Sequence, residues 1–366
     1  MWEFDSVSSF IDREQETFDQ SILESVVAGK RVLITGGAGF IGSALARTLS
    51  QYRVEHLLLL DIAESGLDEL ALELDRNCGA SHEEIVGDVC DATLLTDVFH
   101  RRRPQIVLHA AACKHVPLME KNPFAAAKTN VLGTGRVVHA AAAFSADELI
   151  LISTDKAVHP ASIMGATKRI AELIVSANSS ATRMKAVRLG NVWGSTGSIV
   201  PLLERQISQG GPITITDAAC TRHFLSIVEA VRRVLFALLS GQSSAIFVSQ
   251  PGPAYRIIDL ARFLLERSGM GQRDIEWQYI GLRPGEKLVE QMTADDEEIA
   301  AESVHGLQQV LDGSYLPPQL LAVALDEIGA AVHGRDLSRL LQTISSVVPA
   351  YAPSTYLQEQ VAATAV

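Results

Sequence analysis

The stretch Arg31-Val-Leu-Ile-Thr-Gly-Gly-Ala-Gly-Phe-Ile-Gly42 constrains the fold of this chain more than any other. A short β-rich run stops at glycines 36, 39 and 42, and helical spacing follows over 40–50. Without a Cβ, Gly36 can take a tight turn and Gly39 can let a ligand approach the backbone. Gly42 can let the next helix settle against the strand. The first amides of that helix, at Phe40 and Ile41, would then face a phosphate group. A glycine triplet alone is a weak signal, and its context strengthens it. A second apolar run, His56–Leu60, ends in Asp61. That acid lies about 20 residues beyond the loop, where a carboxylate accepts hydrogen bonds from the adenosine ribose of a dinucleotide. No arginine follows Asp61 directly, so the expected cofactor is NAD rather than NADP.

The rest of the first half keeps the same rhythm. Strands are expected near 31–35, 56–61, 83–88, 105–111, 148–154 and 184–190, with helices between them at 40–50, 91–102 and 122–144. Alternation of this kind gives an α/β fold with a doubly wound parallel Rossmann sheet. The alanine-rich run 123–144 suits a helix packed closely on that sheet. Beyond 190 the elements shorten. Strands at 212–216, 245–250 and 277–280 mix with helices at 198–209, 226–240 and 257–268, as in a smaller α/β substrate domain closing over the first. The organisation expected is an appendage over 1–29, a cofactor domain over 30–190, and a substrate domain with C-terminal helices over 191–366. Residues 1–29 match no part of the fold and read as a docking helix or a frayed tail.

Composition excludes several classes. The 366 residues are 47% apolar, enough for a sizeable core, and exceed one average domain. The net charge, 31 − 43 = −12, argues against nucleic acid or an anionic membrane as partner. No apolar run reaches membrane-spanning length, and the acidic, polar N-terminus is not a signal peptide, so a cytoplasmic protein is expected. Cys78, Cys90, Cys113 and Cys220 are scattered, and the ten histidines form no HxxxH pair. No metal site is expected.

The chemistry concentrates in Ser153-Thr-Asp-Lys-Ala-Val-His-Pro-Ala-Ser-Ile-Met-Gly-Ala-Thr-Lys168. An apolar strand delivers Thr154, Asp155 and Lys156 at its end, and a helix over 162–176 carries Met164 and Lys168 on one face. Adjacent strand residues point to opposite faces, so Asp155 and Lys156 can share a site only if the strand breaks at Asp155. Each of these residues also has a plainer use, as a loop-end ion pair, a helix cap or core packing.

Other motifs fall in order along the chain. They are Ala111-Ala-Cys-Lys-His-Val-Pro-Leu-Met-Glu120, Asn130-Val-Leu-Gly-Thr134, Gly190-Asn-Val-Trp-Gly-Ser195, Gly197-Ser-Ile-Val-Pro201, Thr221-Arg-His-Phe224 and Gly281-Leu-Arg-Pro-Gly-Glu-Lys287. Together with the 153–168 block they make the chain, from about Lys30 to Met292, resemble an extended short-chain dehydrogenase/reductase. Within that group it resembles the bacterial UDP-N-acetylglucosamine 4,6-dehydratases of polysaccharide biosynthesis. Such enzymes usually carry tyrosine four residues before the lysine; this chain has Met164, whose thioether holds no transferable proton. The Met form is similar to that of membrane-anchored dehydratases and of some soluble dehydratase/5-epimerases. The anchored members' transmembrane region is lacking here, so an isolated soluble catalytic unit is expected.

The resemblance implies roles residue by residue. Gly36, Gly39, Phe40, Ile41 and Asp61 would hold NAD, Asp88 and Val89 would meet its adenine, and Ala110 and Ala111 would line the nicotinamide side. Lys168 would bridge the nicotinamide ribose. Lys114 and Asn191 would meet the substrate, while Arg222, Arg283 and Glu286 would bind its UDP end. The implied reaction oxidises C4, eliminates water across C5–C6 and returns hydride to C6, giving a 4-keto-6-deoxy sugar. Asp155 would be the acid at the C6 oxygen, Lys156 the C5 base and Thr154 a hydrogen-bond partner of the substrate. A lysine base must shed a proton that free lysine keeps to about 10.4. Coupled C5 epimerisation, UDP-sugar C4 epimerisation, or a catalytically silent NAD-binding regulator remain as alternatives, the last on the strength of the missing tyrosine. A homo-oligomer pairing through helices 91–102 and 122–144 is also expected.

Overall fold

The computed structural model describes residues 10–11, 20–76, 79–250, 252–301, 305–312 and 316–364. Cys78 and most of the N-terminal appendage lie outside the described residues. Six strands follow the expected positions: β1 (Arg31–Thr35), β2 (His56–Asp61), β3 (His82–Val86), β4 (Ile106–His109), β5 (Glu148–Thr154) and β6 (Arg183–Leu189). All pair in parallel, in the order β6-β5-β4-β1-β2-β3. The inner strands are buried on both faces; β1, β2 and β4 present Val32–Ile34, Leu57–Leu60 and Ile106–Leu108 with essentially no exposure. A parallel sheet covered by helices on both sides requires such unbroken apolar runs. The chain reverses direction of travel between β1 and β4, which opens a crevice at the carboxyl ends of the strands.

The later strands are β7 (Asn191–Val192), β8 (Ile213–Ile215), β9 (Thr221–Leu225), β10 (Ala245–Ser249), β11 (Ala254–Arg256), β12 (Trp277–Tyr279), β13 (Glu298–Ile299) and β14 (Leu307–Asp312). Sequence reasoning put 245–250 in the smaller domain. Instead β10 joins the main sheet beside β6, and β14 and β13 continue it antiparallel to nine strands. Phe247 and Ala245 supply the apolar inner face that this position demands, within the same cluster as Val187 and Leu225. The smaller unit keeps its own core, with Trp193, Val200, Leu203, Phe224, Leu260 and Leu264 packed together. Phe10 of the appendage stacks obliquely on Trp193, Tyr255 and Phe263 in that core, and Ile11 is 3% exposed beside it. Gln20–Val27 forms a helix that buries Leu23 and Val27 under the main sheet's cluster.

The run 122–144 is not one regular helix. Pro123–Ala126 leads into a π-helical stretch, Ala127–Gly133, before Thr134–Ala143 resumes α geometry. A side chain at Gly133 would lie 3.0 Å from Val89, so close packing on the sheet loop has a local cause there. Helices Pro318–Gly334 and Leu337–Val347 pack on this same region, with Leu321, Ile328 and Ala331 in one cluster with Ala127 and Val131. The face expected to pair two copies is therefore covered, in this stretch, by the chain's own C-terminal helices. Among the described residues, no helix is long and apolar enough to cross a membrane.

Candidate active site

The glycine loop has the shape its sequence requires. Gly36 has φ +70°, and a Cβ there would lie 2.6 Å from the Ala111 nitrogen. The loop after β1 thus closes directly on the loop after β4. At Gly42 a Cβ would meet the Gly36 carbonyl oxygen at 2.0 Å, so only glycine lets the helix Phe40–Leu49 start so near the turn. No side chain caps that helix at Gly39. Its first amides are left for an outside acceptor, which fits a diphosphate. Asp61 is fixed by two amides, accepting from Ala38 N at 3.0 Å and Ala63 N at 2.9 Å, so its carboxylate overlooks the loop. Asp88 accepts from Cys90 N and pairs with Lys128 at 2.9 Å. Burial alone would raise the Asp88 pKa, but these partners outweigh it and hold it below the usual range. Val89 is packed into the core below it.

The strand break that the site needs is present. β5 ends at Thr154 and a 3-10 turn takes over at Asp155–Ala157, with Thr154 Oγ accepting from Lys156 N. The turn brings both side chains to one side. Lys156 Nζ donates to Asp155 Oδ1 at 2.9 Å and to Asn191 Oδ1 at 3.0 Å, and Thr154 Oγ1 donates to Asp155 Oδ1 at 2.8 Å. Asp155 is wholly buried, and its Oδ2 has no hydrogen-bond partner among the described residues. Burial pushes its pKa up; the charge of Lys156, the hydrogen bonds from Lys156 and Thr154, and the charge of Arg222 together pull it below the ordinary value. A buried carboxylate oxygen without a partner is uncommon and marks Asp155 as a candidate functional group.

Lys168 lies four residues beyond Met164 on the helix Ile163–Ser176. Its Nζ donates to Ile152 O at 2.7 Å, and burial draws its pKa down to about 8 against an opposing pull from Glu172. Met164 is 2% exposed and shares a cluster with Ile163, Ala166 and Ile170. Ala110 and Ala111 follow β4 directly and are half-buried. Lys114 is exposed, yet the protein crowding its ammonium lowers its pKa.

Of the residues expected at the nucleotide end, Arg283 and Glu286 hold each other and Arg222 holds backbone. Arg283 donates through Nε and Nη2 to Glu286 Oε1, at 3.0 and 2.6 Å. Arg222 donates to the carbonyls of Thr221, Leu288 and Lys287. Asn191, expected to meet a substrate, holds Lys156.

Several site-supporting residues escaped sequence reasoning. His109, the last residue of β4, is fully buried between Thr35 Oγ1 at 2.6 Å and Thr134 Oγ1 at 3.0 Å. Because Thr134 gives its own proton to Asn130 O, Nε2 of His109 must be the donor and Nδ1 the acceptor. Burial, with the charge of Lys168, lowers its pKa to about 3, so the ring is neutral. Asn130, in the π-helical stretch, bonds both backbone groups of Cys113 and donates to Thr167 Oγ1, tying the loop after β4 to the catalytic helix. Beneath the site, Glu172 accepts from Ser153 and from Arg188, whose other side grips Glu297. Despite burial, Arg188, the nearby charge of Arg169 and the Ser153 hydrogen bond hold the Glu172 pKa at about 2. The available sequence signals were a polar residue ending an apolar strand run, as at His109, and the motif Asn130–Thr134, to which no role was given.

The family model of the polysaccharide biosynthesis proteins matches residues 32–311. The chain belongs to this family. It is an extended short-chain dehydrogenase/reductase with the mixed, Rossmann-like sheet of that fold. The capsular polysaccharide biosynthesis protein CapD of Staphylococcus aureus is 39% identical over 80% of this chain and 49% of its own length. The chain spans about half the length of the first curated relatives it matches. A UDP-N-acetylglucosamine 4,6-dehydratase (inverting) from Campylobacter jejuni is 35% identical over 74% of this chain and 79% of its own. The X-ray structure of Pen from Bacillus thuringiensis superposes with a TM-score of 0.70 at 29% identity, covering 80% of this chain and 90% of that one.

Proposed function

We propose that this chain is an NAD-dependent 4,6-dehydratase of UDP-N-acetylglucosamine or a close UDP-hexose. The observation that carries the reading is the hydrogen-bonded Asp155–Lys156 pair at the end of β5, with one buried carboxylate oxygen of Asp155 left without a partner among the described residues. Bound NAD would supply the oxidation at C4 and return the reducing equivalent at C6. The uncapped helix at Gly39, the oriented Asp61 and the buried Lys168 suit its diphosphate and two riboses.

The residues of the chain handle the protons. Met164 can take none, so the C4 hydroxyl proton passes to the carboxylate of Asp155, which Thr154 and Lys156 orient by hydrogen bonds. Asp155 then carries that proton to the C6 oxygen, which leaves as water. Lys156, in its neutral form, takes the C5 proton and later gives it back to C5. One carboxylate thus serves both oxidation and elimination, and the cycle returns both groups to their starting state. Thr154 holds Asp155 from behind through its hydroxyl. Lys114 and Asn191 are assigned to the substrate, and Arg222, Arg283 and Glu286 to its UDP end, with Arg283 and Glu286 exchanging their mutual ion pair for phosphate and ribose contacts.

A C4 epimerase would use the same cofactor wall but has no work for a buried acid beside a lysine. Incubation with UDP-N-acetylglucosamine and mass measurement of the product tests the reading. Loss of one water supports it; a product of unchanged mass with inverted C4 would replace it with the epimerase.

A further inference from the structure

The motif 281–287 carries Arg283 and Glu286, both expected at the nucleotide end, and the chain runs on from it to Glu290. The inner half of this segment reaches the catalytic lysine. Lys287 Nζ donates to Val158 O at 3.0 Å and pairs with Glu290 Oε2 at 2.8 Å. Glu290 Oε1 in turn lies 4.0 Å from Lys156 Nζ. Glu290 is only 4% exposed, so water screens its charge poorly. Two contacts fix the segment at this height. Arg222 grips the carbonyls of Lys287 and Leu288. At Gly285, where φ is +78°, a Cβ would lie 2.7 Å from Ser162 Cβ, so only glycine lets the segment lie on the catalytic loop.

Three side-chain oxygens therefore surround the Lys156 nitrogen: Asp155 Oδ1 from its own turn and Asn191 Oδ1 from β7 at hydrogen-bond distance, and Glu290 Oε1 farther off at 4.0 Å. Lys287 stands behind Glu290, and Arg222 acts on the Asp155 side. Of these three only Glu290 belongs to the segment that carries Arg283 and Glu286.

We propose that Glu290 is a positioning residue for Lys156, holding the amine toward C5 and stabilising the ammonium that forms there. The proposal rests on the dehydratase reading above. In the elimination the C5–H bond breaks and its proton goes to Lys156 Nζ. The bonding pair becomes the second bond between C5 and C6. The C6–O bond breaks, and its oxygen leaves as water with the proton that Asp155 carries. Lys156 is neutral before this step and cationic after it, so its attraction to Glu290 grows along the reaction. Only interactions that strengthen toward the transition state raise the rate of the step. The amide oxygen of Asn191 acts in the same sense with a dipole instead of a charge. Because Glu290 shares one segment with Arg283 and Glu286, a substrate that seats its UDP group also sets the height of this carboxylate.

Glu290→Gln keeps the shape and removes the charge; Glu290→Asp keeps the charge on a shorter stem. On the alkaline plateau of the rate, Glu290→Gln should lower kcat about 10- to 100-fold, the scale of a lost charged partner. KM for UDP-N-acetylglucosamine should stay within about twofold, and the isotope effect from deuterium at C5 should grow. Glu290→Asp should recover part of kcat. Mass-spectrometric mapping of the full-length chain after treatment with an amine-acylating ester provides a readout without turnover. Lys156 should become several-fold more reactive in Glu290→Gln relative to exposed Lys121, because its ammonium has lost a carboxylate partner. Unchanged Lys156 reactivity together with unchanged kcat would overturn the proposal. If Lys156 reactivity responds to Glu290 but the wild-type chain removes water from no UDP-hexose, the contact stands and the dehydratase reading is what fails.

Discussion

The two walls of the crevice are made of different materials. The wall formed by β1, β2 and β4 is mostly backbone: a glycine turn, an uncapped helix start, and a carboxylate fixed by two amides. The wall formed by residues 191–290 is mostly long charged side chains, and they grip one another. Arg283 holds Glu286, Arg222 holds the 287–288 carbonyls, and Lys287 holds Glu290. A backbone wall is preformed, since backbone and Asp61 fix its turn and no side chain caps the helix start at Gly39. A charged wall must exchange internal partners for a ligand, which trades affinity for selectivity. Between them sit Asp155 and Lys156, bonded to each other and to Asn191 from the second wall.

The comparison breaks most sharply in the middle. Asp155→Asn and Lys156→Ala should each cut turnover by about 10²–10⁴. UDP affinity, measured by calorimetry, should hardly change, because neither residue belongs to the nucleotide end. Near-native turnover in Lys156→Ala would remove the base assignment.

On the backbone wall a single methyl group should act strongly. Gly36→Ala places a Cβ 2.6 Å from the Ala111 nitrogen at a positive φ. NAD titration should show affinity lowered by about 100-fold or more, with folding retained by circular dichroism, since the strain of one such position is about 1–3 kcal/mol. On the charged wall the same experiment should be milder. Arg283→Ala should weaken UDP binding about tenfold, the scale of one charged hydrogen-bond partner, and leave NAD affinity alone. Equal effects of both changes on both ligands would erase the distinction between the walls.

How much of this was legible in the sequence follows the same division. The glycine loop, Asp61 and the 153–168 block are local patterns, so their geometry could be read from spacing. Contacts between distant residues left no such mark. Arg188 meets Glu172 and Glu297 across 109 positions of chain on the longer side, and nothing in either neighbourhood announces the pairing. Glu290 reads as an ordinary surface acid until the segment is seen folded over Lys156. β10 was misplaced because a short apolar strand carries no label for the sheet it will join; only Ala245–Val248 alongside Lys185–Arg188 reveals it. The π-helical stretch at Ala127–Gly133 packs close to Val89 at Gly133, a contact between distant residues that helical periodicity cannot encode.

A smaller effect sharpens the account of the backbone wall. His109 is held neutral by burial, with a pKa of about 3 against 6.5 when free. Between those values the unfolded chain binds more protons than the folded one, so stability falls as pH drops through that window. His109→Gln should flatten this part of the stability curve, by at most about 1.4 kcal/mol per pH unit. Urea unfolding at several pH values between 6.5 and 3 checks it, and an unaltered slope would remove His109 from the account.

The central claim is that Asp155 and Lys156 complete a dehydration within a single substrate molecule. UDP-N-acetylglucosamine deuterated at C4 tests it most directly. The account predicts a product lighter by one water, with the label at C6 and no net gain in reduced-nicotinamide absorbance. Deuterium released into the nicotinamide pool, or a labelled product that keeps its C6 oxygen, would contradict it.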